Sequence, residues 1–303
     1  MKYFKLIISL IIVAFTVSYY GINIKIFLDI GIYDVILLLT IGAACVFLNA
    51  LRIFLILNDQ NLKINFLSCL KINMIGGLFD TILPTSNGGD FVRITYYIKY
   101  FNNKFKTKIT SISILDRLIG FFIFFIFILI TGTFIHEKNN FILEANNFFL
   151  FMIIIFICSL YVLGSSRIKI YLNKFTLTHK FRIIPIMETI NNFRNSKKLL
   201  VEIFFITMIN HFLIFLSLLI IFNIYNDLYE INIFIFIYSS SIGMISSILG
   251  VAGGFGIGTL TFIEIFKNLQ PEMKSVAQVI ILFQIYQLII RLFGLPIYLI
   301  KKY

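Results

Sequence analysis

Charged residues are scarce in this chain. They make up 13% of its 303 residues, whereas hydrophobic residues make up 59%, and a soluble globular domain carries roughly 25% charged residues. The chain also lacks any long polar stretch that would fold as a separate soluble domain. These absences exclude an ordinary soluble protein. They predict a single all-α membrane domain over residues 1–303, a polytopic helix bundle in the cell membrane.

Acidic residues and cysteines are also few. The 14 acidic residues form no cluster of the kind that holds a metal or supports acid–base catalysis. Cys45, Cys69 and Cys158 lie in or beside apolar runs without metal-ligand spacing, which is typical of small packing residues. We therefore expect no metal, no cofactor and no enzymatic activity.

The net charge of +12 allows two interpretations. A strongly basic protein can bind nucleic acid, but in a membrane protein basic residues more often mark cytoplasmic loops that face anionic lipid headgroups. We therefore expect membrane lipids, and not nucleic acid, as partners.

Long apolar runs predict the membrane spans. Six runs are long enough to cross a bilayer, at residues 4–22, 33–57, 109–135, 147–163, 199–225 and 276–300. Two further runs, at 65–83 and 231–249, end in helix-breaking sequences at 84–89 and 250–258. Broken backbone in a membrane must be buried in protein or line a wet cavity. We therefore predict about six full spans and two re-entrant broken helices.

Loop charge predicts the orientation. The loops 85–108 and 164–198 and the tail at 301–302 are basic, so the positive-inside rule places them and both termini in the cytoplasm. Eight full spans would leave a basic loop or the tail outside, which favours six. Residues 1–135 and 147–303 then share one order of elements (span, span, broken run, span) but start on opposite sides. This order predicts an inverted repeat whose broken helices form a site near the bilayer midplane.

The first break carries the leading candidate site. It begins at Pro84, and Gly88 and Gly89 are expected at a helix N-terminus, where free N–H groups and the helix dipole attract phosphate. Arg93 lies one turn further on and suits bidentate contact with phosphate. Asp90 opposes an anion unless it pairs with an arginine. The alternative is a tight cytoplasmic turn with an ion pair.

Asp116 and Arg117 lie within the apolar run 109–135. Ionisable residues at that depth normally face the bundle interior and are paired, and neighbours in sequence point to different faces of a helix. We therefore predict that Arg117 pairs with Asp90. We also predict that Asp116 pairs with Arg93. The alternative to a ligand site is a purely structural network.

Glycines dominate the second break. Residues 250–258 contain five of them, among them Gly253, Gly254 and Gly256. They superficially match a dinucleotide-binding motif, but the strand and the acidic residue that such a motif needs are missing. Close backbone approach in a broken membrane helix explains the glycines better, and small-residue packing is the alternative.

The last span carries a polar stripe. Gln284, Gln287 and Arg291 are spaced to share one helix face, and such a face usually points to the bundle interior. The alternative is an Arg291 that snorkels to the inner membrane surface.

At these residues the chain resembles the flippase-like family, which is also called the lysylphosphatidylglycerol synthase transmembrane-domain family. The resemblance covers essentially the whole chain and rests on residues in the family's order and spacing: Pro84, Gly88-Gly89-Asp90, Arg93, Asp116-Arg117 with Gly120, and Gly253-Gly254-Phe255-Gly256. Two departures affect the second half of the site. Ala252 and Thr259 stand where the family usually has proline and glutamate. The arginine expected in the last span is replaced by Gln287 or shifted to Arg291.

The resemblance implies a membrane domain that handles lipids. In fused members it moves a charged phospholipid between leaflets, while a soluble acyltransferase-like domain makes that lipid. The sequence up to Tyr303 contains no such domain, so we expect no aminoacyl-lipid synthesis. The first hypothesis is a translocase for an anionic or phosphate-bearing lipid. The alternatives are an integral-membrane transferase acting on a lipid phosphate and an accessory membrane subunit without transport activity.

The predicted topology can be tested with single cysteines in a background without the three natural ones. Cysteines placed in 85–108, in 164–198 and after Lys301 should react with a membrane-impermeant thiol reagent only from the cytoplasmic side. Labelling of the tail from outside would contradict the six-span topology.

Overall fold

The computed structural model describes residues 30–82, 88–135, 140–165, 183–224, 231–249, 256–271, 273 and 276–300. In chain order its helices are α1 (Ile32–Asp59), α2 (Phe66–Ile82), α3 (Gly88–Tyr100), α4 (Lys106–Phe134), α5 (Asn140–Leu163), α6 (Ile183–Asn195), α7 (Lys197–Ile224), α8 (Ile233–Ser246), α9 (Ile257–Leu269), α10 (Val276–Leu292) and α11 (Gly294–Ile300). A short 3₁₀ turn, Ser247–Leu249, follows α8. The described ranges contain no β-strand, which agrees with the predicted all-α class.

Five segments are apolar and long enough to cross a bilayer, namely α1, α4, α5, α7, and α10 together with α11. The shortest has 24 residues, and at ~1.5 Å per residue this exceeds the ~30 Å of a hydrocarbon core. The protein is therefore a multi-pass membrane protein, and five of the six predicted spans are matched. The predicted span 4–22 and the basic tail lie outside the described residues, and the cytoplasmic placement of the termini stays a prediction.

The helix α5 begins earlier than predicted. The sequence suggested a span over 147–163 after an external loop that contained Glu144, whereas α5 begins at Asn140 and includes that glutamate. The first turns of α5 contain polar residues, so the apolar run in the sequence begins later than the helix does. One of them, Asn146, lies against Gly132 of α4, where any larger residue would overlap its amide group.

The first broken run forms a helical hairpin, hairpin 1, from α2 and α3. The two helices pack against each other and run antiparallel. At the closed end, the Gly89 N–H donates to the Asp80 carboxylate at 2.9 Å. Nearer the open end, the Asn73 amide donates to the Tyr97 hydroxyl at 2.8 Å. The helix α3 starts where the sequence predicted, and the connecting residues 83–87 lie outside the described ranges.

The second broken run forms a corresponding hairpin, hairpin 2, from α8 and α9. Near its open end, the Asn232 N–H donates to the Gln270 side chain at 3.2 Å. Near its closed end, Gly243 adjoins Gly258 so closely that a side chain at either position would meet the backbone of the other. The connecting residues 250–255 lie outside the described ranges.

The two hairpins enter the bundle from opposite ends. The turn 101–105 joins the open end of hairpin 1 to the start of α4. The open end of hairpin 2 lies beside the end of α4, where the rings of Phe134 and Phe234 are 5.0 Å apart. Asp90 near the closed end of hairpin 1 pairs with Arg117, roughly 16 Å along α4 at ~1.5 Å per residue. Hairpin 1 therefore reaches the middle of the bundle, while the predicted inverted repeat stays a prediction.

Two apolar cores lie on either side of that middle level. On α7, Leu199 and Ile203 belong to one core, which also includes parts of α1, α2, α4 and α6. Phe215 and Leu218 of α7 belong to the other core, together with α8, α9 and α10. Asn210 is buried between the two sets. The middle of the bundle is therefore the level at which polar side chains of the long helices meet.

Close packing of hairpin 1 depends on Gly89. A methyl group there would overlap the backbone carbonyl of Gly76 and the carboxylate of Asp80. We expect Gly89→Ala to lower the free energy of unfolding by about 1–3 kcal/mol, the usual cost of overpacking, and to lower the melting temperature in detergent. Gly77→Ala is the matched control, because its added methyl would meet its nearest neighbour at 3.8 Å. Equal melting temperatures for the two variants would contradict the packing role of Gly89.

Candidate functional site

A polar cavity of about 320 Å³ lies at the middle level of the bundle. Both hairpins and the long helices α1, α4, α7 and α10 contribute side chains to its wall. The volume falls near the lower end of the ~300–1,000 Å³ that small-molecule sites occupy. It is large enough for a lipid headgroup but not for a whole lipid.

Four arginines and three aspartates line the cavity: Arg52, Arg93, Arg117, Arg291, Asp80, Asp90 and Asp116. They come from α1, α2, α3, α4 and α10, so the fold gathers charges that are far apart in the sequence. Ionisable groups within a membrane bundle are costly unless they are paired. The partner of each group therefore decides whether it supports the fold or can meet a ligand.

Arg52 and Asp116 form a bidentate pair between α1 and α4. The guanidinium donates through Nε at 2.5 Å and through Nη2 at 3.0 Å to the two carboxylate oxygens. Its Nη1 donates to the hydroxyl of Thr207 on α7 at 3.4 Å. The prediction that Asp116 pairs with Arg93 was wrong, because both oxygens of the Asp116 carboxylate accept from Arg52 on the adjacent helix. Both side chains of the pair are largely buried, so this contact holds helices together.

Arg93 joins the two helices of hairpin 1. Its Nη2 donates to Asp80 on α2 at 2.7 Å, and its Nη1 donates to Asp90, one turn earlier on α3. The side chain is 17% exposed. Arg93 does line the cavity, but two carboxylates already engage it.

Asp80 also occupies the helix terminus that was predicted to hold a phosphate. Its carboxylate accepts the Gly89 N–H at 2.9 Å, and a carboxylate at a helix N-terminus is favoured by the helix dipole. Gly88 and Gly89 are buried and are not among the cavity-lining residues. The Gly89 amide therefore serves hairpin 1 itself.

Arg117 is the most open of the paired arginines in the cavity. Its Nη2 donates to Asp90, which confirms the predicted pair. Its side chain is 42% exposed, compared with 17% for Arg93 and 8% for Arg52. Because Asp90 also accepts from Arg93, two guanidinium groups share one carboxylate. Arg117 thus presents donors to the cavity that Asp90 alone does not use.

The polar stripe of the last span faces the cavity, as predicted. Gln284, Gln287 and Arg291 all line it. Gln284 also donates to the hydroxyl of Thr259 at 3.5 Å, which links α10 to hairpin 2. Thr259 stands where the resemblance led us to expect a glutamate, so this position carries a hydroxyl group and no charge. Thr259 is not among the residues that line the cavity.

The remaining predicted glycine and proline positions are only partly described. Gly256 has a φ of 100° and starts α9, a backbone conformation that glycine adopts without strain. It is not among the residues that line the cavity. Pro84, Gly253 and Gly254 lie outside the described residues.

Several cavity residues were not singled out from the sequence: Arg52, Asp80, Asn49, Asn210 and His211. Each is polar within an apolar run, the same signal that drew attention to Asp116. His211 donates from Nε2 to the backbone carbonyl of Gly120 at 3.0 Å, since a carbonyl oxygen can only accept. Its ring stacks on Phe124 with centroids 3.8 Å apart. The family glycine at 120 is thus part of the cavity wall.

Comparison with known proteins identifies a family for this architecture. Residues 3–294 match the family described as the lysylphosphatidylglycerol synthase TM region. The match covers essentially the whole chain and confirms the resemblance inferred from the motifs. Neither the curated proteins nor the solved structures gave a match.

The burial of the ion pairs predicts different stability effects for two arginines. Arg52→Ala leaves Asp116 without the guanidinium that neutralises it, and removing one partner of a buried pair costs about 3–5 kcal/mol. Arg117→Ala leaves Asp90 paired with Arg93, so we expect a loss of roughly 1 kcal/mol or less. Thermal unfolding of both variants in one detergent measures the difference. A parent-like melting temperature for Arg52→Ala would show that this pair is not essential to the fold.

Proposed function

Because the chain belongs to the lysylphosphatidylglycerol synthase transmembrane-region family, we propose that it moves an anionic or phosphate-bearing lipid between the two membrane leaflets. The observation that carries the proposal is the polar cavity in the middle of a membrane bundle, lined by two hairpins that enter from opposite ends. A lipid headgroup needs such a polar, protein-lined space to pass the hydrocarbon region.

The charge of the cavity supports an anionic headgroup. Its described wall contains four guanidinium groups and three carboxylates, so positive charge is in excess. Arginine offers a planar fork of donors that matches the oxygens of a phosphate. We assign phosphate contact to Arg117, because its side chain is 42% exposed. Arg93 and Arg52 position the helices around it through their buried pairs.

Transport rather than chemistry is the better account of the three aspartates. A transferase needs a carboxylate that is available as a base or a metal ligand. In this cavity Asp80 and Asp90 accept from Arg93, and Asp116 accepts from Arg52. The described residues also contain no group of three histidine, cysteine or acidic side chains that could hold a metal ion.

The proposal is tested with purified protein in vesicles that contain a fluorescent anionic phospholipid. Arg117→Ala should lower headgroup affinity by roughly ten- to a hundredfold, as expected for the loss of a charge-assisted hydrogen bond worth ~1.5–3 kcal/mol, and should slow translocation. Arg117→Lys keeps the charge but loses the fork, so its rate should lie between those of Arg117→Ala and the parent. Melting temperatures of the same preparations establish that the variants are folded.

Arg194→Lys is the matched control, because Arg194 stacks on Tyr161 outside the cavity. It should translocate lipid like the parent. Parent-like transport by Arg117→Ala would contradict the site assignment. Formation of a new lipid product would indicate a transferase, and neither transport nor product would indicate an accessory subunit.

A further inference from the structure

One histidine lies in the described wall of the cavity. His211 on α7 is 4% exposed, and its side chain lines the cavity. Its Nε2–H donates to the Gly120 carbonyl of α4 at 3.0 Å. This bond selects the neutral tautomer in which Nδ1 carries a lone pair. Nδ1 is buried and accepts no hydrogen bond from any described residue. A buried polar atom without a partner is rare in folded proteins and needs an explanation.

Contacts with α4 hold the imidazole ring in one orientation. The ring stacks on Phe124, with centroids 3.8 Å apart and an angle of 12° between the planes. Gly120 and Phe124 lie one turn apart on α4, so they hold the edge and the face of the ring together. Rotation of the ring would break both the hydrogen bond and the stacking contact. These contacts fix the position of Nδ1 but do not use its lone pair.

The charges near His211 decide what that lone pair can bind. Arg52 is the charged group that acts on the imidazole, and its Nη1 contacts Thr207, one turn before His211 on α7. The carboxylate of Asp116 neutralises Arg52 through both oxygens. The helices α1, α4, α6 and α10 pack against α7. Neither α6 nor hairpin 2 adds a titratable residue to the described wall, whereas α1, α4 and α10 contribute Cys45, Arg52, Asp116, Arg117 and Arg291.

We propose that His211 binds a proton together with the anionic headgroup, so that the protein moves one proton with each lipid. The proposal rests on the proposed function, because a buried imidazolium near Arg52 is stable only when an anion lies in the cavity. The proton comes from the aqueous phase and binds to Nδ1, while Nε2–H stays on the Gly120 carbonyl. The imidazolium carries one positive charge and a phosphodiester one negative charge. Loading both therefore adds no net charge to a site inside the membrane.

Proton binding and anion binding then strengthen each other. Thermodynamic linkage requires that each ligand raises the affinity for the other by the same factor. Protons become more available as the pH falls, so the affinity for the lipid rises toward low pH. For the uptake of one proton this rise is at most about tenfold per pH unit. A pH difference across the membrane also becomes a driving force, which moves lipid away from the leaflet that faces the more acidic solution.

The first test measures the affinity of the purified full chain for phosphatidylglycerol between about pH 8 and pH 5, where histidine is the side chain that ordinarily titrates. The charge of the phosphodiester is constant over this range. The affinity of the parent should rise by at least about threefold toward low pH, and an affinity independent of pH would overturn the proposal. His211→Gln keeps an N–H donor but cannot bind a second proton, so its affinity should not change with pH. A pH dependence that persists in His211→Gln would also overturn the proposal.

The double variant His136→Gln/His179→Gln is the matched control. It removes the other two of the three histidines, both of which lie outside the described residues, and it should keep the pH dependence of the parent. Its single histidine can also be followed by NMR after labelling of the imidazole nitrogens. Without lipid the signals should be those of the neutral Nε2–H tautomer, and with phosphatidylglycerol near about pH 5 those of the imidazolium. A histidine that stays neutral with lipid bound would overturn the proposal, even if His211→Gln fails to fold.

Vesicles separate the proton site from the proposed function. With the electrical potential clamped, a pH difference should drive phosphatidylglycerol toward the leaflet that faces the alkaline solution in the parent, but not in His211→Gln. Proton uptake on lipid binding without any translocation would support the proton site and overturn transport. Translocation that ignores the pH difference, with a His211 that stays neutral, would support transport and overturn the proton site.

Discussion

The cost of placing charge inside a membrane governs the middle of this bundle. Ionisable groups there are stable only when they are paired, and Arg93 satisfies this demand for two carboxylates on two helices. Without that pairing, Asp80 and Asp90 would repel each other at the closed end of hairpin 1. This one guanidinium group joins α3 to α2, and it neutralises both the carboxylate that caps α3 and the carboxylate that contacts α4.

The sequence predicted the helices and hairpins better than it predicted which charged residues pair with one another. Long apolar runs and glycine-rich breaks are local signals, so the spans and the two hairpins could be inferred directly. Ion pairs depend on which helices are neighbours, and that information is not local. Arg117 was matched correctly with Asp90, but Asp116 was assigned to Arg93 because Arg52, one arginine in an otherwise apolar helix, received no weight. In the structure Arg52 is buried and pairs with Asp116. Its position in the sequence does not indicate that pairing.

The two hairpins close through different chemistry. Hairpin 1 closes around charges, whereas hairpin 2 closes through the contact of Gly243 with Gly258 and a buried threonine. Glycine contacts allow close backbone approach without a charge that must be neutralised. Hairpin 2 therefore closes without the charged contacts that hold hairpin 1 together. This difference explains why motif spacing located hairpin 2 but could not define its surroundings.

Asp90 has a particular position in this network, because its carboxylate belongs to hairpin 1 and its second guanidinium belongs to α4. The two helices of hairpin 1 are held together by Arg93, so a displacement of that hairpin from α4 would carry Asp90 away as part of one rigid unit. The Arg117–Asp90 contact would then break, whereas the pairs of Arg93 within hairpin 1 and the Arg52–Asp116 pair between α1 and α4 would persist. A phosphate that replaced Asp90 at Arg117 would keep the Arg117 guanidinium neutralised. The Asp90 carboxylate would therefore take part in both ligand exchange and hairpin movement.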